Sequence, residues 1–549
     1  MMERPSSTIH LQRLKQLDSY FGTEATTVDS QTLADVMSCS TRNVAKIMKS
    51  LNELGWIHWI PGKGRGNKTQ LQILSSFHER FCNVLKSYVA NGELNEASRY
   101  ADIFKYDNVF KQHLPEWLAD LSEDKEHSDE LVSLVPYSLP YCHPMNMTDR
   151  HAGIYVIAMF DTLIKLNTST GAFEPHLAHQ FYQEGLTHYF RIRPDVYFHN
   201  GELVTPEHVK QNLIAHMDEH SVAHQLYSSI KSVEVNHQWV EVTLTHDDPV
   251  FLHAIADVHA SIFLDNDAEP DYPYGTGAYH WEYRSKDHWS LVKNAQYFAV
   301  HGVLKRADFW HVTTSNKTSV GHLFEFEHID DIANKADRSY STMGTKALCF
   351  SHRLDFNTRL ALSAFTNQVL NKHYTNDREL TSTILPNRKI RELESNDALN
   401  MSDIPTKLKV HVQNQEPIQL LWIELVNAGI SIEYVETVAE ADIWVNNFLF
   451  GADVLLDHYY WLMLSESACN MITPFKQRQW ITEFQQTRAS KSAFLNDIED
   501  RYLEEKRLVP LWVKSVAFKS HDTLRGTDVD SLGMMTLCNI WFDKREKAN

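Results

Sequence analysis

The residues best placed to do chemistry lie in one short stretch. Between Val36 and Ser75 the chain carries Arg42, Lys46, Lys49, Lys63, Arg65 and Lys68 against the single acid Glu53. The whole chain has a formal net charge of −19. A local excess of cations therefore runs against the average composition, and DNA is the commonest reason for such a placement. Val44, Ile47, Met48 and Leu51 recur at i, i+3, i+4 and i+7, one face of a helix, which leaves Arg42, Lys46 and Lys49 on the other. Such a helix suits a DNA major groove, with its cations on bases and phosphates and with Thr41 and Asn43 as base readers at its start. A merely solvated helix face has the same pattern, and the structural reading stands beside the DNA-binding one.

The neighbouring elements must position that helix. Leu33, Val36 and Met37 mark a helix over Ser30–Met37, Ser38-Cys39 makes a turn, and Ser40 is a favourable N-cap for the second helix. Gly55 ends it. Trp56–Ile60 and Lys68–Leu74 then alternate apolar and polar residues about a turn rich in Gly, Lys and Arg, a hairpin whose Lys63, Arg65 and Lys68 would meet phosphates or the minor groove. Together these make a winged helix-turn-helix, braced by a first helix bearing Leu11, Leu14, Leu17 and Phe21. Phe77, Phe81, Leu85, Tyr88 and Val89 form a further amphipathic helix, and helical character continues over Leu94–Leu118. This extension reads either as a homodimerisation element, since helix-turn-helix readers act on paired half-sites, or as a packing spacer. Asp120–Glu130, with six acids and one lysine, reads as a solvated linker.

The remainder is a large α/β body. A chain of 549 residues with 43% hydrophobic and 11% aromatic residues can fill several cores. The longest apolar run, about eight residues around Gly153–Phe160, falls short of the ~20 that span a membrane, and the N-terminus has no apolar export segment. A cytoplasmic protein with no membrane partner is expected. Six scattered cysteines without a Cys-x-x-Cys pair are then free thiols. No Gly-x-Ser-x-Gly elbow and no phosphate-binding glycine loop between strand and helix is present, so no enzyme, no catalytic residue and no cofactor is expected. His216, His220 and His224, at i, i+4 and i+8, have a spacing that could hold a metal on a helix, but no cysteine or carboxylate completes the set, and a histidine-bearing surface is the preferred reading.

Four phrases follow one another in a fixed order: Phe160–Ile164, Pro175–Ala178, Tyr189–Gly201 and Tyr274–Tyr279. In that order they resemble the family 5 extracellular solute-binding proteins, the oligopeptide and dipeptide receptors of ABC transporters, over roughly Leu131–Phe542. Joined to a winged helix, the whole resembles the SgrR-type transcriptional regulators linked to sugar-phosphate stress. The resemblance implies a multidomain α/β chain: a winged-helix domain with helical extension over 1–118, an acidic linker over 119–130, and a two-lobe periplasmic-binding-protein-like domain over 131–549. Its first lobe would take about 131–347 and 520–549, and its second about 348–519. It further implies a regulator that binds double-stranded promoter DNA and closes on a small ligand in the interlobe cleft, a sugar phosphate first and a peptide second. Trp444, Asn446 and Asn447 would contact the ligand, unless that stretch is an ordinary strand end with turn residues, and Tyr137, His143 and Asp149, in the loop after the first strand, are weaker candidates. Gly275 and Gly277 would shape a turn. The alternative is a solute-binding protein serving a transporter, its N-terminal domain only structural.

Overall fold

The computed structural model describes residues 8–62, 68–90, 93–119, 129–147, 150–218, 223–311, 323–325, 339–376, 378–386, 388, 399–412, 418–487, 490–527 and 535–544. They fall into two compact units, 8–119 and 129–544.

In the first unit, α1 (Thr8–Phe21) buries Leu11, Leu14 and Leu17, and is followed by β1 (Thr26–Val28), α2 (Ser30–Val36) and α3 (Thr41–Glu53). Strands β2 (Ile57–Ile60) and β3 (Thr69–Ile73) pair antiparallel, Ile57 opposite Ile73. The sheet order is β1-β3-β2, so the hairpin read from sequence gains a third strand; three residues are too few to show an alternation. Helices α4 (Phe77–Ala90), α5 (Leu94–Phe104) and α6 (Asp107–Ala119) complete the unit. The extension is fastened to the helix-turn-helix by Lys15 of α1, whose ammonium donates to Phe104 O at 2.9 Å and lies 5.5–5.8 Å from the rings of Phe77, Phe104 and Tyr106. Asp18 of the same helix accepts the Phe77 N–H at 2.8 Å at the start of α4.

The second unit is built on a sheet of ten strands among the described residues, in the order β11-β12-β13-β4-β14-β19-β15-β18-β16-β17. Its strands are β4 (Glu130–Val135), β11 (Tyr279–Arg284), β12 (His288–Lys293), β13 (Arg306–His311), β14 (Leu323–Glu325), β15 (Ser339–Phe350), β16 (Lys407–His411), β17 (Ser431–Tyr434), β18 (Ile443–Leu449) and β19 (Leu508–Ser520). A hairpin of β5 (Ile164–Asn167) and β6 (Ala172–Pro175) leads to a separate antiparallel sheet, in the order β7-β8-β10-β9, of β7 (Ala178–Glu184), β8 (Thr187–Ile192), β9 (Ile230–Asn236) and β10 (Trp239–Leu244). The long strands β15 and β19 belong to both lobes: at their lower numbers and higher numbers respectively they pair with each other beside β14, and at the opposite ends beside β18. The chain thus changes lobe inside these two strands. The pairing of β15 with β19 shifts register between Thr342 and Gly344 and again between Lys346 and Ala347.

One apolar core is continuous across the lobes, from Phe190, Val240 and Phe251 of the small sheet and its helices to Trp444, Tyr459 and Trp480 of the second lobe. The helix His224–Tyr227 packs on the turn Tyr460–Leu464. Beside this core, His253 meets the Asp453 carboxylate at 2.5 Å, and His246 meets Gln485 at 2.8 Å. Among the described residues no helix is long and apolar enough to cross a membrane.

Candidate DNA-binding face and ligand site

The first candidate site is α3. Ser40 stands at its N-cap in extended backbone but makes no side-chain capping bond; its carbonyl instead accepts the Asn43 N–H at 2.8 Å. Val44, Ile47, Met48 and Leu51 are buried, whereas Thr41, Arg42, Asn43, Lys46 and Lys49 are exposed. Lys49 reaches Glu53 at 3.7 Å, an exposed pair one helical turn long. Gly55, at φ +68 with open space about it, ends the helix and directs the chain into β2. Lys68 is exposed at the start of β3, while Lys63 and Arg65 lie outside the described residues. Sequence reasoning missed Asn52, whose Oδ1 accepts the Trp59 N–H at 2.8 Å and joins α3 to the wing.

The sequence phrases shared with the solute-binding proteins meet around Asp161. Its buried carboxylate takes His176 at 2.5 Å, Tyr297 Oη at 3.0 Å and Thr276 Oγ1 at 3.0 Å, with Lys165 at 3.8 Å. Burial pushes this carboxyl up, but His176, Lys165 and Tyr297 outweigh it and hold it below the ordinary carboxylate range. His199 donates to Gly277 O at 3.1 Å, and Arg193 donates to His176 O at 2.6 Å. A Cβ at Gly275 would stand 2.0 Å from Met159 O, and one at Gly277 would stand 2.4 Å from Met159 C. These motifs are a structural knot that holds the loop after the helix Arg150–Met159 against the Gly-Thr-Gly turn.

The candidate ligand residues separate. Trp444 is 1% exposed in the core, its Nε1 donating to Ser467 Oγ at 3.0 Å. Along β18, Asn446 and Asn447 leave opposite faces of the sheet. Asn446 lies opposite Ala347, and Asn447 lies opposite Lys346. Tyr137 meets Tyr155 Oη at 3.3 Å and His151 at 3.9 Å between rings, in the first lobe. His143 caps the short turn at Pro144 and packs on Phe263; Asp149 lies outside the described residues. The helix from Pro206 stops at Ala215, and His224 begins a separate helix, so His216 and His224 are not on one helix. His216 turns inward to donate to His259 O at 2.8 Å, and His220 lies outside the described residues.

Where the strands cross, polar atoms stand on both faces of the sheet, at Asn446 and Asn447 and at four residues that the sequence reading did not include. Thr345 Oγ1, Asn446 Nδ2, Asn447 Oδ1, Trp512 Nε1, Ser515 Oγ and Arg378 Nε are buried atoms without a hydrogen-bond partner among the described residues. Each such group costs about 1–3 kcal/mol unless something fills its valence. Lys346 and Lys514, 3% and 7% exposed, are buried lysines in the two crossing strands.

Residues 10–120 match the model of the sugar transport-related sRNA regulator N-terminal domain, and residues 172–348 match that of the middle domain of the bacterial extracellular solute-binding proteins, family 5. The HTH-type transcriptional regulator SgrR of Pectobacterium atrosepticum is 21% identical, over 98% of this chain and 99% of that one. The chain resembles the SgrR regulators over nearly its whole length. It joins the N-terminal domain of a transcriptional regulator to a solute-binding-like domain. A second SgrR, of Photorhabdus laumondii, is 21% identical over 99% of this chain and 100% of its own length, and the Bacillus subtilis protein YhjP is 22% identical over 93% and 95%. The solute-binding-like part of the chain has the fold of solved periplasmic binding proteins. DppA from Helicobacter pylori in complex with the peptide STSA matches with a TM-score of 0.60 at 15% identity, over 76% of this chain and 98% of that one. AgaA from A. tumefaciens R10 in complex with agropinic acid matches with a TM-score of 0.60 at 15% identity, over 76% and 100%.

Proposed function

We propose that the chain regulates transcription by binding promoter DNA through α3 and the wing, and that a small metabolite held between the lobes of its solute-binding-like domain alters that binding. The observation that carries the reading is α3 itself: four apolar residues face the core and Arg42, Lys46 and Lys49 face solvent, in a domain matched to that of a regulator. Thr41 and Asn43 read bases, Arg42, Lys46 and Lys49 contact the groove and its phosphates, and Lys63, Arg65 and Lys68 grip the backbone. The proposed organisation is a DNA-binding domain over 1–118, a linker over 119–130 and the ligand-binding domain beyond. The protein acts in the cytoplasm as a homodimer on paired half-sites and catalyses no reaction.

Closure of two lobes is a hinge motion, and a ligand drives it by binding the closed form better. A ten- to hundredfold change in DNA affinity needs only about 1.4–2.8 kcal/mol of coupling. A sugar phosphate is the first ligand to test and a peptide the second. Selection of genomic DNA fragments on the full chain, with and without a small-molecule extract, tests the reading beside the Arg42→Ala/Lys46→Ala variant. Enrichment of a few promoters that the variant loses and the extract alters is the expected result. No enrichment in any condition would overturn it in favour of a transport-type binding protein.

A further inference from the structure

The strands that cross between the lobes carry a row of polar side chains on one face. Opposite partners in an antiparallel pair share a face, and so do residues two apart along a strand. Thr345 of β15 lies opposite Phe448 of β18 and Val513 of β19, and Asn446 lies opposite Ala347. Ser515 follows Val513 by two residues along β19. Thr345, Asn446 and Ser515 therefore leave the same face of three adjacent strands, β19-β15-β18, along one diagonal, each about 7–8 Å from the next. Thr345 and Ser515 are fully buried, and Thr345 Oγ1, Ser515 Oγ and Asn446 Nδ2 have no hydrogen-bond partner among the described residues. This face also carries Ala347, Cys349 and Phe448, which belong to the apolar core shared by the lobes. The Phe448 ring meets that of Trp461 edge-on at 5.6 Å, and Trp461 is only partly buried. Lys346 and Lys514 of the same strands leave by the opposite face.

We propose that Thr345, Asn446 and Ser515 take the hydroxyl groups of an uncharged, polyhydroxylated moiety, a sugar ring or a polyol, with Phe448 and Trp461 as its apolar wall. This rests on the reading of the interlobe region as a ligand site and gives that ligand its chemical class. A buried hydroxyl or amide without a partner destabilises the empty protein, and Val or Ala would fill the same strand positions without that penalty. The three groups suit such a ligand by their kind. Ser and Thr hydroxyls both donate and accept, as ligand hydroxyls do, and the Asn446 amide nitrogen donates to a hydroxyl oxygen. A carboxylate or phosphate calls instead for charged donors, and the two lysines of these strands stand on the other side of the sheet. The row runs from β18 of the second lobe to the crossing part of β19, a span that several hydroxyls in series can fill. An apolar wall with a few convergent polar groups is the usual make-up of a small-molecule site.

The test is calorimetric titration of the full chain with a panel of neutral hexoses and polyols, with inorganic phosphate and with a dipeptide. Thr345→Val and Ser515→Ala each remove a hydroxyl at nearly constant volume, and Asn446→Leu removes the amide. Thr276→Val is the control, because the buried Thr276 hydroxyl already donates to Asp161 Oδ2 at 3.0 Å. At least one neutral hexose or polyol should bind, and each of the first three variants should lose about tenfold in affinity for it, the loss expected of one hydrogen bond. Without ligand, Thr345→Val and Ser515→Ala should melt no lower than the parent, since each discards a hydroxyl that bonds to nothing, whereas Thr276→Val should melt lower and bind as the parent does. Unchanged affinity in the three variants would overturn the site and leave its hydroxyls to ordered water. Lower melting temperatures for the empty Thr345→Val and Ser515→Ala proteins would assign those hydroxyls to the fold and overturn it equally. Binding of phosphate or the dipeptide without any neutral hexose or polyol, or no saturable heat with any hydroxylated probe, would overturn the ligand class. Promoter affinity is measured on the same samples. A neutral solute that binds through these residues without altering it leaves the site standing and removes the gating, and promoter affinity that responds to the panel equally in parent and variants does the opposite.

Discussion

Asn52 of α3 and Trp59 of β2 are joined by one hydrogen bond, 2.8 Å from the Asn52 side-chain carbonyl oxygen to the Trp59 backbone nitrogen. The bond fixes the angle between the two parts proposed to touch DNA. Asn52→Ala should cost about 1 kcal/mol of stability and weaken promoter binding several-fold. The slope of affinity against salt should stay unchanged, because no cation is removed. Parallel slopes for the two proteins, displaced on the affinity axis, are the result to look for in a filter-binding series.

Loss of a cation should behave differently. Lys46→Ala should lower affinity and also reduce the salt slope by about one unit, the signature of one phosphate contact. Lys49→Ala should do less, because Glu53 already lies 3.7 Å from its ammonium.

The knot around Asp161 should govern whether the first lobe folds. Asp161→Ala leaves His176, Thr276 and Tyr297 without their acceptor and should destabilise the protein by about 3 kcal/mol or more. Gly277→Ala should be at least as harmful, since its new carbon would stand 2.4–2.7 Å from backbone atoms of Ala158 and Met159 that cannot swing aside. Chemical denaturation of both variants, followed by circular dichroism, measures this.

Acid should destabilise the protein in a window set by buried histidines. Burial lowers His188, His199 and His216 to about 4, against an ordinary value near 6.5. The unfolded chain therefore takes up these protons first, and the stability they represent is complete above about pH 6.5 and lost as pH falls from there to about 4. The depressed Asp161 carboxyl adds a further loss as pH falls through its own folded value. Melting temperatures should drop across this interval, and replacing His216 by Gln should make the drop shallower. A melting temperature that stays flat between pH 6.5 and 4.5 would contradict this.

How much of this was legible in the sequence depended on the distance between partners. The face of α3 was, because Val44, Ile47, Met48 and Leu51 report on a single helix. The fold of the larger unit was legible through four phrases, but their purpose was not: Asp161 and Thr276, which lie 115 positions apart, meet only in the folded chain. The candidate ligand residues fared differently for the same reason. Asn446 and Asn447 are adjacent in the chain yet face away from each other, while Lys346 and Trp512 are far apart in the chain and face the same way. Pairing between distant strands decides such matters, and one sequence contains no record of it.

The His253–Asp453 contact stands beside an apolar core that both lobes share. Any opening that parts the lobes along this line must expose hydrocarbon to water, and that carries a positive heat capacity. The free energy of opening then varies with temperature as hydrophobic contacts do, and the closed form loses its advantage on cooling. In the proposed regulator, the ligand concentration needed to hold the lobes shut would rise in the cold, so the same promoter would answer to a different metabolite level at a different growth temperature.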